Sequence, residues 1–217
     1  MAPPRPRYFT AREVAAHARP GDLWVSCLGR VLDLTPLARE HHGDPRLRPL
    51  LEAAGTDISH WFDPRTQDLL RRVDPHTGLP GYRAPGGGLL DVPPPAPRSD
   101  WVPPARPPWW RDPRYEVGRL GARPRRLRVL NTLTGQQDVL EVCAEETLHD
   151  ILRRYLPRNA HAGSYSWRHG GAALDMERTL EQNGVADEGP ELRRLGLDPE
   201  RHLPALLLYF NDDFTEL

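Results

Sequence analysis

The stretch Asp33-Leu34-Thr35-Pro36-Leu37-Ala38-Arg39-Glu40-His41-His42-Gly43-Asp44 decides how the first half of this 217-residue chain folds. Upstream of it, residues 23–28 and 31–34 are two apolar runs around Gly29-Arg30, which predicts a tight hairpin. Within it, Thr35-Pro36 supplies a cap and a first-turn proline for a short helix ending at His41. Downstream, residues 45–54 read as the next helix, stopped by Gly55, and residues 57–62 as a further short helix, ended by Pro64. Further upstream, Tyr8-Phe9 reads as a strand end, and Thr10 with Glu13 forms a capping box for a helix.

The texture changes between residues 80 and 113. Gly86-Gly87-Gly88, Pro93-Pro94-Pro95, Pro103-Pro104 and Pro107-Pro108 do not build a core by themselves. Trp101, Trp109 and Trp110 nevertheless lie in this stretch, and a solvated linker does not need them. The expectation is a segment lying across a domain face with these rings buried, the alternative a free aromatic-proline motif for a partner. Globular texture then returns. Residues 127–133 alternate as a strand, Thr134-Gly135-Gln136-Gln137 turns, and residues 138–142 return. Residues 147–156 carry Leu148, Ile151, Leu152, Tyr155 and Leu156 at helical spacing. Residues 165–168 form a third strand, residues 174–185 hold a short helical turn, and residues 205–210 an apolar closing strand.

Composition bounds the function. The chain has 25 prolines and 38 % hydrophobic residues, which suggests small cores joined by extended segments. Net charge is −1, so neither nucleic acid nor a membrane surface is an expected partner. The charge is uneven: residues 124–217 carry 11 Arg and 16 acidic residues, a balance of −5. All 29 basic residues are Arg, which excludes Schiff-base chemistry and lysine modification. Cys27 and Cys143 lie too far apart in sequence to suggest a zinc site or a disulfide framework, and Cys27 reads as a small core residue. Gly86-Gly87-Gly88 lacks the Lys of a phosphate loop, and no segment reaches transmembrane length or looks like a signal peptide. An intracellular protein that is not an enzyme is the expectation.

The order of pieces from Leu23 to Phe62 resembles the haem-cradling half of the cytochrome b5 family, over roughly residues 7–97. That family clamps haem between two helix pairs, each giving one neutral His to iron. The resemblance makes His41 the first axial ligand. The family's His-Pro-Gly-Gly turn stands here as His41-His42-Gly43-Asp44, in which Asp44 can still adopt the left-handed conformation of the lost glycine, at some cost. The second ligand should follow residues 57–62, where Asp63-Pro64-Arg65-Thr66-Gln67 has no His. His76, in the turn Asp74-Pro75-His76-Thr77-Gly78, is the candidate second ligand, and His60 a weaker one. Alternatively, His41 is a polar helix-end residue, His42 a surface residue, and His60 a neighbour of Trp61.

The ββαββ order of the C-terminal part resembles the β-grasp fold of ubiquitin, with Leu174-Asp175-Met176-Glu177-Arg178-Thr179-Leu180 as the best local match. The chain ends Phe214-Thr215-Glu216-Leu217, without the Gly-Gly tail of conjugation, so attachment to other proteins is not expected. The expected architecture is α+β: a cytochrome b5-like domain (7–97), a Pro/Trp-rich connector (98–123) and a ubiquitin-like β-grasp domain (124–217). Together with Leu23-Trp24-Val25-Ser26, Asp57-Ile58-Ser59-His60-Trp61-Phe62, Tyr115-Glu116-Val117-Gly118 and Leu207-Leu208-Tyr209-Phe210, this combination resembles a two-domain family of motile cilia. The resemblance implies a structural component of the axoneme in the cytoskeleton, with radial-spoke proteins as partners and a haem-linked redox role in beating. A b5-type haem redox protein and a ubiquitin-like recognition adaptor are the alternatives.

Overall fold

The capping box at Thr10 forms as the sequence predicts: Glu13 N donates to Thr10 Oγ1 (3.2 Å) and Thr10 N to Glu13 Oε2 (2.8 Å). It joins strand β1 (Tyr8–Phe9) to helix α1 (Ala11–Ala16). A computed structural model describes residues 5–73, 78, 80–94, 99, 102 and 105–210, in two units dividing between residues 120 and 121.

In the first unit, β2 (Ala18–Arg19), β3 (Asp22–Cys27) and β4 (Arg30–Asp33) follow as antiparallel neighbours. The β3–β4 turn is Leu28-Gly29, with φ of 49° and 75°. Two positive φ values match the right-handed twist of a two-residue hairpin, which explains the glycine. Helix α2 (Thr35–Glu40) has Leu34 as its cap residue, with no side-chain cap. Thr35 is therefore not the cap its sequence suggests. Its hydroxyl is buried and accepts Leu23 N at 2.9 Å, a donor that would otherwise be unpaired. The run 45–54 splits into a single 3₁₀ turn, Pro45–Leu47, and helix α3 (Arg48–Glu52).

Residues 57–62 do not form the expected helix. Ser26 N donates to Thr56 O (3.1 Å), Ile58 N to Ser26 O (2.8 Å), and Asp57 Oδ1 accepts the hydroxyls of Ser26 and Ser59. Pairing with β3 outcompetes the helical ladder and leaves one 3₁₀ turn, Ser59–Trp61. Two hairpins come next, β5 (Phe62–Asp63) with β6 (Asp68–Leu69) and β7 (Arg71–Val73) with β8 (Pro80–Tyr82).

Strand β9 (Glu116–Leu120) completes the main sheet, in the order β1-β9-β4-β3-β2, antiparallel to β4 and parallel to β1. The stretch 98–123, expected as a connector, thus gives the first unit a strand and also Trp109, Trp110 and Tyr115, all buried. Those rings share one core with Leu23, Leu32, Leu37, Leu50, Phe62 and Leu90. Bulky indoles next to prolines reach a core without regular structure. Trp101 lies outside the described residues.

The second unit has strands β10 (Pro124–Asn131) and β11 (Gln137–Cys143), helix α4 (Leu148–Tyr155), strands β12 (Tyr165–His169) and β13 (Ala172–Ala173), helix α5 (Gly189–Arg194) and strand β14 (Ala205–Phe210). The sheet order β11-β10-β14-β12-β13, with β10 and β14 parallel at its centre, is a ubiquitin-like β-grasp. Thr147 and Asp150 box the start of α4, whose Leu148, Ile151 and Tyr155 join Leu127, Val129, Leu206 and Leu208 in the core. Helix α5 has no buried residue, so no apolar periodicity marks it in the sequence.

Candidate functional site

His41 stands just past α2. Leu34, Leu37 and Ala38 bury the inner face of that helix, and His41 N closes its last turn on Leu37 O (3.0 Å). Gly43 then takes φ +85°, the left-handed step that reverses the chain. Asp44, which is able to adopt that conformation, does not take it. It is extended (φ −73°, ψ 123°) and its Oδ1 accepts Arg46 N at 2.9 Å, capping the 3₁₀ turn. The Arg46 guanidinium hydrogen-bonded to it holds its carboxyl below the usual carboxylate range. One glycine therefore suffices for the turn.

The His41 side chain is about a quarter exposed (26 %), and its Nε2 lies 3.3 Å from Arg106 Nη2. A guanidinium only donates, so this contact places the imidazole lone pair on Nε2 and its proton on Nδ1. The lone pair that a metal would take from Nε2 is thus engaged by Arg106. Arg106 also donates to Tyr115 Oη (3.1 Å) and lies 4.0 Å from Asp91 Oδ1. Asp91 Oδ2 in turn accepts Trp109 N at 2.9 Å. Arg106, Asp91, Tyr115 and Trp109 form a network around His41 that sequence reasoning missed. Its members come from a proline-rich tract with no periodicity to place them.

The β5–β6 hairpin carries residues 63–67, the stretch in which the resemblance looks for a second ligand. Its loop holds Gln67 at φ +52°, exposed, and no His. His60 is exposed and edges against Trp61, with ring centroids 5.9 Å apart. His42 is exposed, and His76 lies outside the described residues. Among the described residues no group of three or more His, Cys, Asp or Glu side chains is placed to hold a metal. The structure thus places His41 just past α2 and His60 exposed beside Trp61, and brings no second imidazole to His41 among the described residues.

Leu89, Leu90 and Trp109 are buried in the same core as Leu37, Leu50 and Phe62. Trp109 and Trp110 each stand 6.2 Å from Phe62 between ring centroids, and Trp110 Nε1 donates to Asp68 Oδ1 (3.1 Å). A single imidazole engaged by Arg106 does not, among the described residues, match the two-histidine donor set that the resemblance implies for haem. Trp109 Nε1 is buried without a hydrogen-bond partner among the described residues, at a cost of about 1–3 kcal/mol. Cys27 lies beneath as an inert core thiol, pushed up to about 12 by burial.

The β-grasp unit carries a cleft of about 430 Å³ lined by, among others, Arg125, Arg126, His169, Glu200 and His202. Two of its arginines are committed, Arg126 to Glu200 and Arg125 to the carbonyls of Val185 (3.0 Å) and Ala186 (2.6 Å). Burial lowers the Arg125 guanidinium, and mixed charges leave the cleft with no single-sign character. No helix among the described residues is long and apolar enough to cross a membrane.

Comparison with known proteins agrees with the b5-like half. Residues 10–70 match the family described as the cytochrome b5-like heme/steroid binding domain. A Mus musculus protein named cytochrome b5 domain-containing protein 1 is 54 % identical over 211 residues, covering 97 % of this chain and 92 % of its own. The Xenopus laevis protein of the same name is 52 % identical over 217 residues, covering all of both chains. Among solved structures, a Caldiarchaeum subterraneum ubiquitin aligns over 42 % of this chain and 99 % of its own, at 17 % identity and a TM-score of 0.32. These relatives are named for a domain and not for a reaction. With half of its residues shared over nearly its whole length, the chain belongs to the cytochrome b5 domain-containing protein 1 family.

Proposed function

We propose that this protein is a non-enzymatic interaction component of the motile-cilium axoneme, at the radial spokes, in which the b5-like and β-grasp units present binding surfaces. One observation carries the interaction role: Leu89, Leu90 and Trp109 are buried in the core of the b5-like unit and its candidate ligand His41 is tied to Arg106, so it folds as a self-sufficient module. The two-domain resemblance supports the axonemal placement. The test is co-fractionation with detergent-extracted axonemes and with isolated radial spokes. Recovery of the protein only in the detergent-soluble fraction would sink this reading.

A second reading, a haem-linked redox role, is favoured by the family match over residues 10–70 and by His41 just past α2. Hemin titration of the full chain, read at the Soret band in oxidised and reduced states, tests it. A band that is absent, or indifferent to His41→Ala, rejects it. The adaptor reading rests on the β-grasp fold alone, and fold is weak evidence of function.

A further inference from the structure

We propose that the β7–β8 hairpin is a docking surface for an extended acidic segment of a partner protein. The hairpin is a two-stranded sheet of its own, with every residue of β7 and the first two of β8 exposed. Tyr82 and Ala84 tether it to the first core. A two-stranded ribbon is marginally stable alone, and this one buries little, so the core gains little from it. Its side chains are left for contacts outside the chain.

The register divides its cations between two faces. Arg71 is opposite Tyr82, and Arg72 is opposite Gly81. Arg71 is occupied: its guanidinium carbon stands 4.9 Å from the centroid of the Tyr82 ring, and its Nη2 donates to Tyr82 Oη at 3.1 Å. On the other face, the alternation of a strand puts Arg83, two residues past Gly81, beside Arg72. Arg83 N still donates to Leu70 O (2.7 Å), so the ladder runs through this position. Both arginines are exposed, and neither guanidinium has a hydrogen bond or a carboxylate partner among the described residues. Between them Gly81 leaves bare backbone, where an added Cβ would meet nothing within 4 Å.

Spacing and charge select the occupant. Diagonal positions across an antiparallel pair lie about 7–8 Å apart. Alternate residues of an extended chain lie about 6.6–6.8 Å apart, so two carboxylates on one face of such a chain reach both guanidiniums at once. Residues 1–120 carry 17 Arg and 14 acidic residues, a balance of +3, whereas the whole chain is at −1. No general field draws polyanions to the molecule, so an acidic segment must be held by local contacts. This surface deepens the interaction reading, on which it rests only for the partner's being axonemal.

The experiment titrates the full chain into a fluorescent peptide of alternating Glu and Ser, read by anisotropy. A Gln-Ser peptide and a DNA duplex of equal charge are the comparisons. Wild type should bind the Glu-Ser peptide saturably, weaken as salt rises, and ignore the Gln-Ser peptide. Arg72→Glu combined with Arg83→Glu should weaken binding at least tenfold. Arg12→Glu combined with Arg19→Glu makes the same charge change at exposed arginines elsewhere on the first unit, and should weaken it less than twofold. All four side chains are exposed, so melting temperatures should stay at the wild-type value and serve as the control for folding. Absent binding, equal binding of the Gln-Ser peptide, or equal losses in the two variants would overturn the proposal. Tighter binding to the duplex would overturn it in favour of nucleic acid. Failed peptide binding with axonemal recovery intact would reject the docking surface alone. Peptide binding that depends on Arg72 and Arg83, with no recovery in axonemes, would uphold the surface and reject the axonemal placement instead.

Discussion

Replacing Trp109 by Ala measures how far the Pro/Trp-rich stretch is part of the first core. The ring is fully buried and contacts Trp110 (5.4 Å between centroids) and Phe62. Truncating a buried Trp costs about 3–5 kcal/mol in lost transfer energy and cavity. Removing the unpaired indole N–H returns about 1–3 kcal/mol. The net expectation is a loss of about 2 kcal/mol, near a thirtyfold change in the opening equilibrium at about 1.4 kcal/mol per tenfold. Trp109→Phe removes the same N–H and keeps an aromatic ring, so it should lie within about 1 kcal/mol of wild type. Hydrogen exchange of the β3 amides reads the effect in the first unit, and the β10 amides, in the other core, provide the reference. A Trp109→Ala loss below about 0.5 kcal/mol, the range of ordinary surface substitutions, would refute the placement of the ring. A Phe variant as unstable as the Ala variant would show that a smaller aromatic ring does not restore the packing of the indole.

Three further outcomes are expected. Thr147→Ala should cost the β-grasp unit about 1 kcal/mol, or about 4–8 °C in melting temperature, while Thr147→Ser, which keeps the capping oxygen, should cost much less; equal losses would disprove the capping account. Asp44 and Asp112 are held low by hydrogen bonds from Arg46 and Arg114, so their stabilisation is complete above the unfolded value of about 3.9 and is lost as pH falls through the folded value. Asp112→Asn should therefore melt below wild type at pH 7, with the gap narrowing as pH falls below the unfolded value of about 3.9, and a gap independent of pH would contradict the assignment. Cys27, with its thiol near 12, is about one part in ten thousand thiolate at pH 8, and Cys143 is buried; a thiol reagent should find neither in the native protein and both after denaturation, and rapid labelling of Cys27 in the native state would exclude the burial described.

Local rules made much of this fold legible. The Thr10 box, the β3–β4 hairpin and strand β14 announce themselves through caps, turn residues and apolar runs. What escaped was decided by distant partners. Thr35 looked like a cap until Leu23 N claimed its hydroxyl, and residues 57–62 looked helical until Ser26 paired with their backbone. At the site, His41 was visible by its place after α2, but Arg106 was not. It lies 65 positions away in sequence from His41, in a tract whose prolines erase periodicity. Charge and spacing reveal groups that work within a few residues of each other, and this network is assembled almost wholly from groups that do not.

The pairing of β9 with both β1 and β4 has a temporal consequence. The family match ends at residue 70, yet the sheet beneath it needs residues 116–120. At about 5–20 residues per second, a ribosome takes roughly 3–10 s to make the intervening stretch. During that interval β4 waits with an open edge, and the apolar floor meant for Trp109 and Leu90 lies bare. The nascent b5-like unit is then a client for chaperones, and a stall or premature stop between residues 70 and 116 would release an aggregation-prone fragment rather than a small stable domain.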